Sequence, residues 1–156
     1  MVELSNNEYG DLRANMKKLE AFMAEGREAP EAVLSECAGK IIQGKMAECV
    51  FLVSRDSKFL WAHKANLKQI GYEIKEVVGN YCYKLFHGRP SRCESPPDIC
   101  PAEEALKSGS PTSVMHAHIN GSGYKRLVKI IVYPLKNEKS KMVRFVYLIK
   151  QLSYVF

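Results

Sequence analysis

Residues 50–62, VFLVSRDSKFLWA, contain two short apolar runs on either side of a polar segment. Residues 50–53 and 59–62 are the apolar runs, and residues 55–58 have the composition of a tight turn. Apolar runs of this length that flank such a turn are typical of a β-hairpin. We therefore expect the folded domain to begin with two antiparallel strands.

The segment after the hairpin predicts several short helices followed by three strands. Residues 63–86 have helical character that is interrupted at Gly71 and Gly79, and residues 101–107 form a short helix that Gly109 ends. Residues 112–119, 124–135 and 142–149 are strand candidates, with turn sequences in the gaps between them. This order predicts an α+β fold, a five-stranded antiparallel sheet with short helices across one face.

The N-terminal part of the chain has a helical pattern instead. Ser5 and Glu8 match a capping box, and Pro30 suits the first turn of a second helix that ends near Gly44. The first helix carries an apolar stripe of Leu12, Met16, Leu19 and Met23. We expect a helical extension over residues 1–45 and a separate domain over residues 46–156. The stripe packs either on its own domain or in a homodimer, and the pattern alone leaves both open.

Composition limits the class of protein. The chain has 156 residues, of which 46% are apolar and 10% aromatic, which is enough for a buried core. The net charge of +6 is scattered along the sequence, so nucleic-acid binding is the weaker alternative. We find neither a membrane-spanning apolar run nor a signal peptide. An odd number of cysteines, five, fits a reducing cytoplasm better than a disulfide scaffold.

Several short segments in this order resemble the PAS domain, a sensory fold family. Besides the hairpin, the matching segments are residues 70–72 (IGY), 76–79 (EVVG), 82–88 (CYKLFHG), 100–101 (CP), 104–106 (EAL) and 132–135 (VYPL). Many PAS domains with a His-Gly…Pro-Pro…Cys-Pro pattern are similar to this stretch, although Asn is usual where this chain has His63. The resemblance implies a sensory or interaction module, often dimeric, with a ligand cavity between sheet and helices.

The expected function is therefore sensing or signal transduction. The domain would bind a small ligand, a metal or a redox cofactor, and signal through a homodimer or an unidentified downstream protein. A cofactor-free protein–protein interaction domain is the alternative. We expect no enzyme, because the chain has no Gly-rich phosphate loop, and Cys82 and His87 lie five residues apart, which is not one helical face.

The candidate chemical site is a metal site formed by Cys82, His87, Cys93 and Cys100. Three cysteines and a histidine within nineteen residues are ligand types that hold zinc or an iron–sulfur cluster. The CxxC pair most typical of such sites is missing. Two other hypotheses therefore stay open: a thiol–disulfide switch, and cysteines that serve only packing.

Light and haem sensing are weaker hypotheses. Cys82 occupies the place where light-sensing flavin (LOV) domains carry their photoactive cysteine, but Tyr81, Tyr83 and Phe86 replace the polar residues that accompany it there. PAS domains that bind haem often use a histidine on the helix before the third strand, and residues 101–107 contain none. His116 and His118 lie two apart on a strand and share a face. They could line the cavity together, but we expect this face to be the solvent face.

Overall fold

The computed structural model describes residues 48–63, 67–93, 99–136 and 141–154. The predicted helical extension lies outside these residues. The strands are β1 (Glu48–Ser54), β2 (Phe59–Ala62), β3 (Thr112–Ile119), β4 (Lys125–Lys136) and β5 (Met142–Tyr154). Between β2 and β3 lie a 3-10 helix (Lys68–Ile70) and the short helices α1 (Ile74–Val77), α2 (Cys82–His87) and α3 (Pro101–Ser108). The predicted α+β fold is confirmed.

The five strands form one antiparallel sheet in the order β2-β1-β5-β4-β3. The register pairs Phe51 with Tyr147 and Tyr147 with Val132, so these three side chains lie in one row across the sheet. Because successive side chains of a strand alternate between its two faces, these three side chains lie on the same face of the sheet. All three are buried in the main apolar core. This face of the sheet is the one that carries the helices.

Helix α2 is held at both ends. At its start, the backbone N–H of Cys82 donates to the Ser57 carbonyl oxygen at 2.9 Å, which ties the helix to the β1–β2 turn. At its end, Gly88 adopts a left-handed conformation with φ of 62° and its N–H donates to the Lys84 carbonyl. Glycine reaches this conformation at little cost, so it ends the helix directly after His87.

Aromatic rings fill the space between α2 and the sheet. Phe86 lies with its ring centroid 6.0 Å from that of Phe51 and 5.5 Å from that of Phe59, and Phe51 and Phe59 lie 5.0 Å apart. Aromatic pairs at these distances contribute about 0.5–1.5 kcal/mol beyond the area that they bury. The packing fixes α2 against the sheet.

Among the described residues, no helix has both the length and the apolar character that crossing a bilayer requires.

Candidate functional site

The four residues predicted as metal ligands line one small cavity beside α2. Cys82 and His87 are the first and last residues of the helix, Cys93 lies in the following loop, and Cys100 is the residue that precedes α3. His116 on β3 also lines the cavity, whose volume is about 20 Å³. We call these five residues the Cys–His pocket. Although Cys82 and His87 do not share a helical face by spacing, both border it; their role as ligands stays a prediction.

Arg92 connects the loop of Cys93 to two other elements. Its guanidinium group donates to the carboxylate of Glu103 on α3 and to the carbonyl oxygen of Arg55 in the β1–β2 turn. The ion pair is only partly exposed, so solvent screens it less than a surface pair. These contacts hold Cys93, which is 9% exposed, against the rest of the pocket.

Ser57 lies in the wall of the pocket and has an unusual backbone conformation. It is buried, and its φ of 71° places a non-glycine residue in the left-handed region. Its hydroxyl oxygen is also buried and makes no hydrogen bond with the described part of the chain. Such a group costs about 1–3 kcal/mol when it is left unsatisfied. A water molecule or ligand in the pocket would offset that cost.

Burial keeps the thiol of Cys82 uncharged. Cys82, Cys93 and Cys100 are all in the reduced thiol form. Cys82 is half-buried as a residue, but its thiol is desolvated, and this burial raises its pKa well above the usual range; the nearby Cys100 and Cys93 add to the shift. A thiolate forms here only if a positive charge compensates for the burial.

The expectation that His116 and His118 face solvent is wrong. Their exposed fractions are 3% and 4%, and they share a face of β3 with Val114, which packs against the core. The opposite face of β3 carries Met115, which is 51% exposed. The strand thus buries its more polar set of side chains.

His116 and His118 meet His87 at the end of α2. The candidate ligand atoms of the three imidazoles all lie within 4.8 Å of one another. Among the described residues, the group whose ligand atoms lie close enough to hold a metal ion consists of these three histidines and includes no cysteine. We call His87, His116 and His118 the histidine triad; it shares His87 and His116 with the Cys–His pocket.

His118 is the most enclosed member of the triad. Its ring stacks on that of Phe86, with centroids 4.4 Å apart and planes 7° from parallel. Neither ring nitrogen makes a hydrogen bond with the described part of the chain. Burial holds the pKa of His118 well below its usual range, and the neighbouring His87 and His116 lower it further. The imidazole is therefore neutral at pH 7 and has a lone pair to offer.

His116 is oriented by a backbone group. Its Nε2 atom lies 2.8 Å from the carbonyl oxygen of Ile99. A carbonyl oxygen only accepts hydrogen bonds, so Nε2 carries the hydrogen and Nδ1 carries the lone pair of the neutral ring. This bond also links β3 to the residue before Cys100.

Comparison with known families gives one match. The sequence model of the PAS domain family matches residues 47–152, more than half of the chain. No curated protein matches the sequence.

Solved structures of similar shape include PAS and LOV domains. The light-state Aureochrome1 LOV domain is 20% identical, with a TM-score of 0.57 over 72% of this chain and 88% of that one. The PAS-B domain of Drosophila melanogaster Cycle, with bound ethylene glycol, is 14% identical, with a TM-score of 0.55 over 67% and 99%. The PAS domain of an HTR-like protein from Haloarcula marismortui is 11% identical, with a TM-score of 0.52 over 95% and 100%. At these identities the similarity concerns the fold.

Proposed function

Because the chain belongs to the PAS domain family, we propose that it is a non-catalytic sensory module whose input site is the Cys–His pocket. One observation carries the proposal. Residues that are far apart in sequence, from Cys82 on α2 to His116 on β3, converge on a single small cavity. Convergent sulfur and imidazole ligands in a partly enclosed site are the ordinary setting for metal or redox chemistry.

The size of the pocket favours a single ion over a large cofactor. A cavity of about 20 Å³ holds roughly one water molecule. The space between α2 and the sheet, where a larger ligand would lie, contains the packed rings of Phe51, Phe59 and Phe86. A mononuclear metal such as zinc therefore suits the pocket better than an iron–sulfur cluster or a flavin.

The electrostatics favour a metal over an unassisted thiol switch. A thiol reacts with oxidants as its thiolate, and burial raises the pKa of Cys82, which keeps it protonated. A divalent cation supplies the positive charge that would stabilise the thiolates. A pocket cysteine that binds the ion would therefore carry its charge only in the metal-bound state.

Metal analysis of the anaerobically purified full chain tests the proposal. We expect near-stoichiometric zinc or iron; a lower content in Cys93→Ser would show that a pocket thiol is among the ligands. Cys49→Ala is the matched control, because Cys49 is also a buried cysteine in the thiol form but lies on β1 outside the pocket. If the protein contains neither metal nor a reducible cross-link, and the three pocket Cys→Ser variants are as stable as wild type, the proposal is wrong.

The alternative function, a cofactor-free interaction domain, has one observation in its favour. Met115, Tyr124 and Leu152 are large apolar side chains with exposed fractions of 51%, 59% and 43%. Exposed apolar groups of this kind occur at protein–protein contacts. The alternative predicts that the Cys→Ser variants keep every partner interaction of the wild type, whereas the sensory proposal predicts that they change it.

A further inference from the structure

We propose that the histidine triad, His87, His116 and His118, binds one divalent transition-metal ion through its three imidazoles and leaves a fourth coordination position open. Imidazole nitrogen suits Zn²⁺, Fe²⁺, Co²⁺ and Ni²⁺. This inference rests on the proposed function, because it names the ion and the ligands through which the pocket receives its signal. The ligand set differs from the one predicted from sequence, which was Cys82, His87, Cys93 and Cys100. It uses His116 and His118 in place of the three cysteines.

The three nitrogen atoms are already close to a metal-binding arrangement. Metal–imidazole bonds are about 2.1 Å long, so ligand nitrogens around a tetrahedral ion lie roughly 3.4 Å apart. The triad's candidate atoms lie within 4.8 Å of one another. Side-chain movement must close the remaining gap, and His87, which is half-buried at the end of α2, is the most exposed of the three.

His118 is the observation that points most directly to a ligand. A buried imidazole normally has a hydrogen-bond partner for each nitrogen. Both nitrogens of His118 are buried and make no hydrogen bond with the described part of the chain. The stacked ring of Phe86 limits the movement of the imidazole. A metal bond would satisfy one of these nitrogens without repacking the core.

His116 has the second-sphere contact typical of a metal ligand. Metal-binding histidines usually donate their other ring N–H to a carbonyl or a carboxylate. His116 makes this kind of contact through Nε2, which lies 2.8 Å from the Ile99 carbonyl oxygen.

The open position has room for one small ligand. His87 and His116 belong both to the triad and to the wall of the 20 Å³ cavity, which is large enough for about one water molecule. Three protein ligands with an exchangeable fourth position are the arrangement of reactive metal sites. The site would thus take water or a small anion on the ion.

Cobalt titration of the full-length, metal-free protein tests the inference. Co²⁺ bound by three imidazoles gives visible ligand-field absorption without the near-ultraviolet thiolate-to-cobalt charge-transfer band. We expect wild type to bind one equivalent, and His118→Phe, which preserves a ring against Phe86, to bind at least about 100-fold more weakly. His63→Phe is the control, since His63 lies outside the triad. If His118→Phe fails to fold, as judged by circular dichroism, His87→Gln at the helix end replaces it.

The outcomes separate this inference from the proposed function. A charge-transfer band that disappears in Cys93→Ser, with unchanged affinity in His118→Phe, overturns the histidine site and leaves the sensory pocket in place. No cobalt binding by folded wild type overturns the histidine site as well. If that protein also contains no zinc or iron and forms no cross-link, the proposed function falls with it.

Discussion

The Nε2 atom of His116 lies 2.8 Å from the carbonyl oxygen of Ile99, so strand β3 holds the backbone immediately before Cys100. Cys100 in turn precedes Pro101, the first residue of α3. One imidazole therefore joins the sheet to a helix start and to a pocket thiol.

Replacement of His116 by Phe should loosen this connection. The variant loses the hydrogen bond to Ile99, which contributes about 0.5–1.5 kcal/mol to stability, and Cys100 should react faster with a thiol reagent in native buffer. Urea denaturation and site-resolved thiol labelling measure the two effects. His63→Phe serves as the control. An unchanged labelling rate at Cys100 would show that the contact does not protect the thiol.

A close backbone contact makes Gly121 a sensitive position. The Gly121 N–H donates to the Ile70 carbonyl oxygen at 2.7 Å, and a Cβ atom at Gly121 would lie 1.8 Å from the Gly71 carbonyl oxygen. Because backbone cannot move aside easily, Gly121→Ala should lower the free energy of unfolding by about 3 kcal/mol.

The matched control for Gly121 is Gly123→Ala. Gly123 has a φ of 85°, but a Cβ there would meet no atom within 4 Å. Only backbone strain of about 1 kcal/mol is expected. Thermal and urea denaturation should rank the two variants in this order. Equal losses would refute the close contact.

The partly buried hydroxyl group of Tyr72 should make the free energy of unfolding depend on pH in the alkaline range. Its hydroxyl group donates to the Ile119 carbonyl oxygen at 2.8 Å, and burial raises its pKa above 10, with a smaller contribution from the charge of Glu76. Above about pH 10 the unfolded chain releases this proton and the folded chain keeps it, so the free energy of unfolding falls as pH rises.

The variant Tyr72→Phe should isolate that contribution. At pH 8 it loses about 1 kcal/mol with the hydrogen bond, and above pH 10 its stability should decline less steeply than that of wild type. Burial raises the pKa of Tyr147 as well, and that residue remains in the variant, so the slope is reduced and not abolished. Urea denaturation from pH 8 to 11 gives both slopes. Parallel curves would contradict the assignment.

The predicted N-terminal extension should drive homodimerisation. A stripe of Leu12, Met16, Leu19 and Met23 is difficult for a short extension to bury alone. Light scattering should find a dimer for the full chain and a monomer after deletion of residues 1–44. Leu19→Lys should weaken the dimer, and Lys18→Glu, beside it but outside the stripe, should not. A monomeric full-length protein would rule out this hypothesis.

Local patterns were sufficient to predict most of the fold. The hairpin runs at residues 50–53 and 59–62 lie within β1 and β2, and Gly109 has the left-handed conformation expected of a C-cap. These signals depend on neighbours in sequence. The sheet order, in which β1 pairs with the last strand, was not predicted, because that pairing joins segments that are far apart in sequence.

Only part of the candidate site could be predicted, because sequence patterns report on residues that are close together in the chain. Cys82, His87, Cys93 and Cys100 are close in sequence, so their grouping was visible, and all four line the pocket. His116 and His118 were misplaced because the alternate set on β3, Met115, Ala117 and Ile119, is the more apolar one. Alternation alone assigns that set to the core. Val114, which lies on the same face of β3 as the histidines and packs against the core, was the one residue whose apolar character indicated the opposite assignment.

Hydrogen exchange of the full chain, with Zn²⁺ and with a chelator, tests most directly whether the Cys–His pocket is the input site. Zn²⁺ should slow amide exchange in residues 82–93 and 99–119, which carry the pocket cysteines and the histidine triad, because the ion joins α2, the start of α3 and β3. The variant His118→Phe/Cys93→Ser should show no such change. Equal exchange with and without Zn²⁺ in wild type, or equal slowing in the variant, would contradict the account.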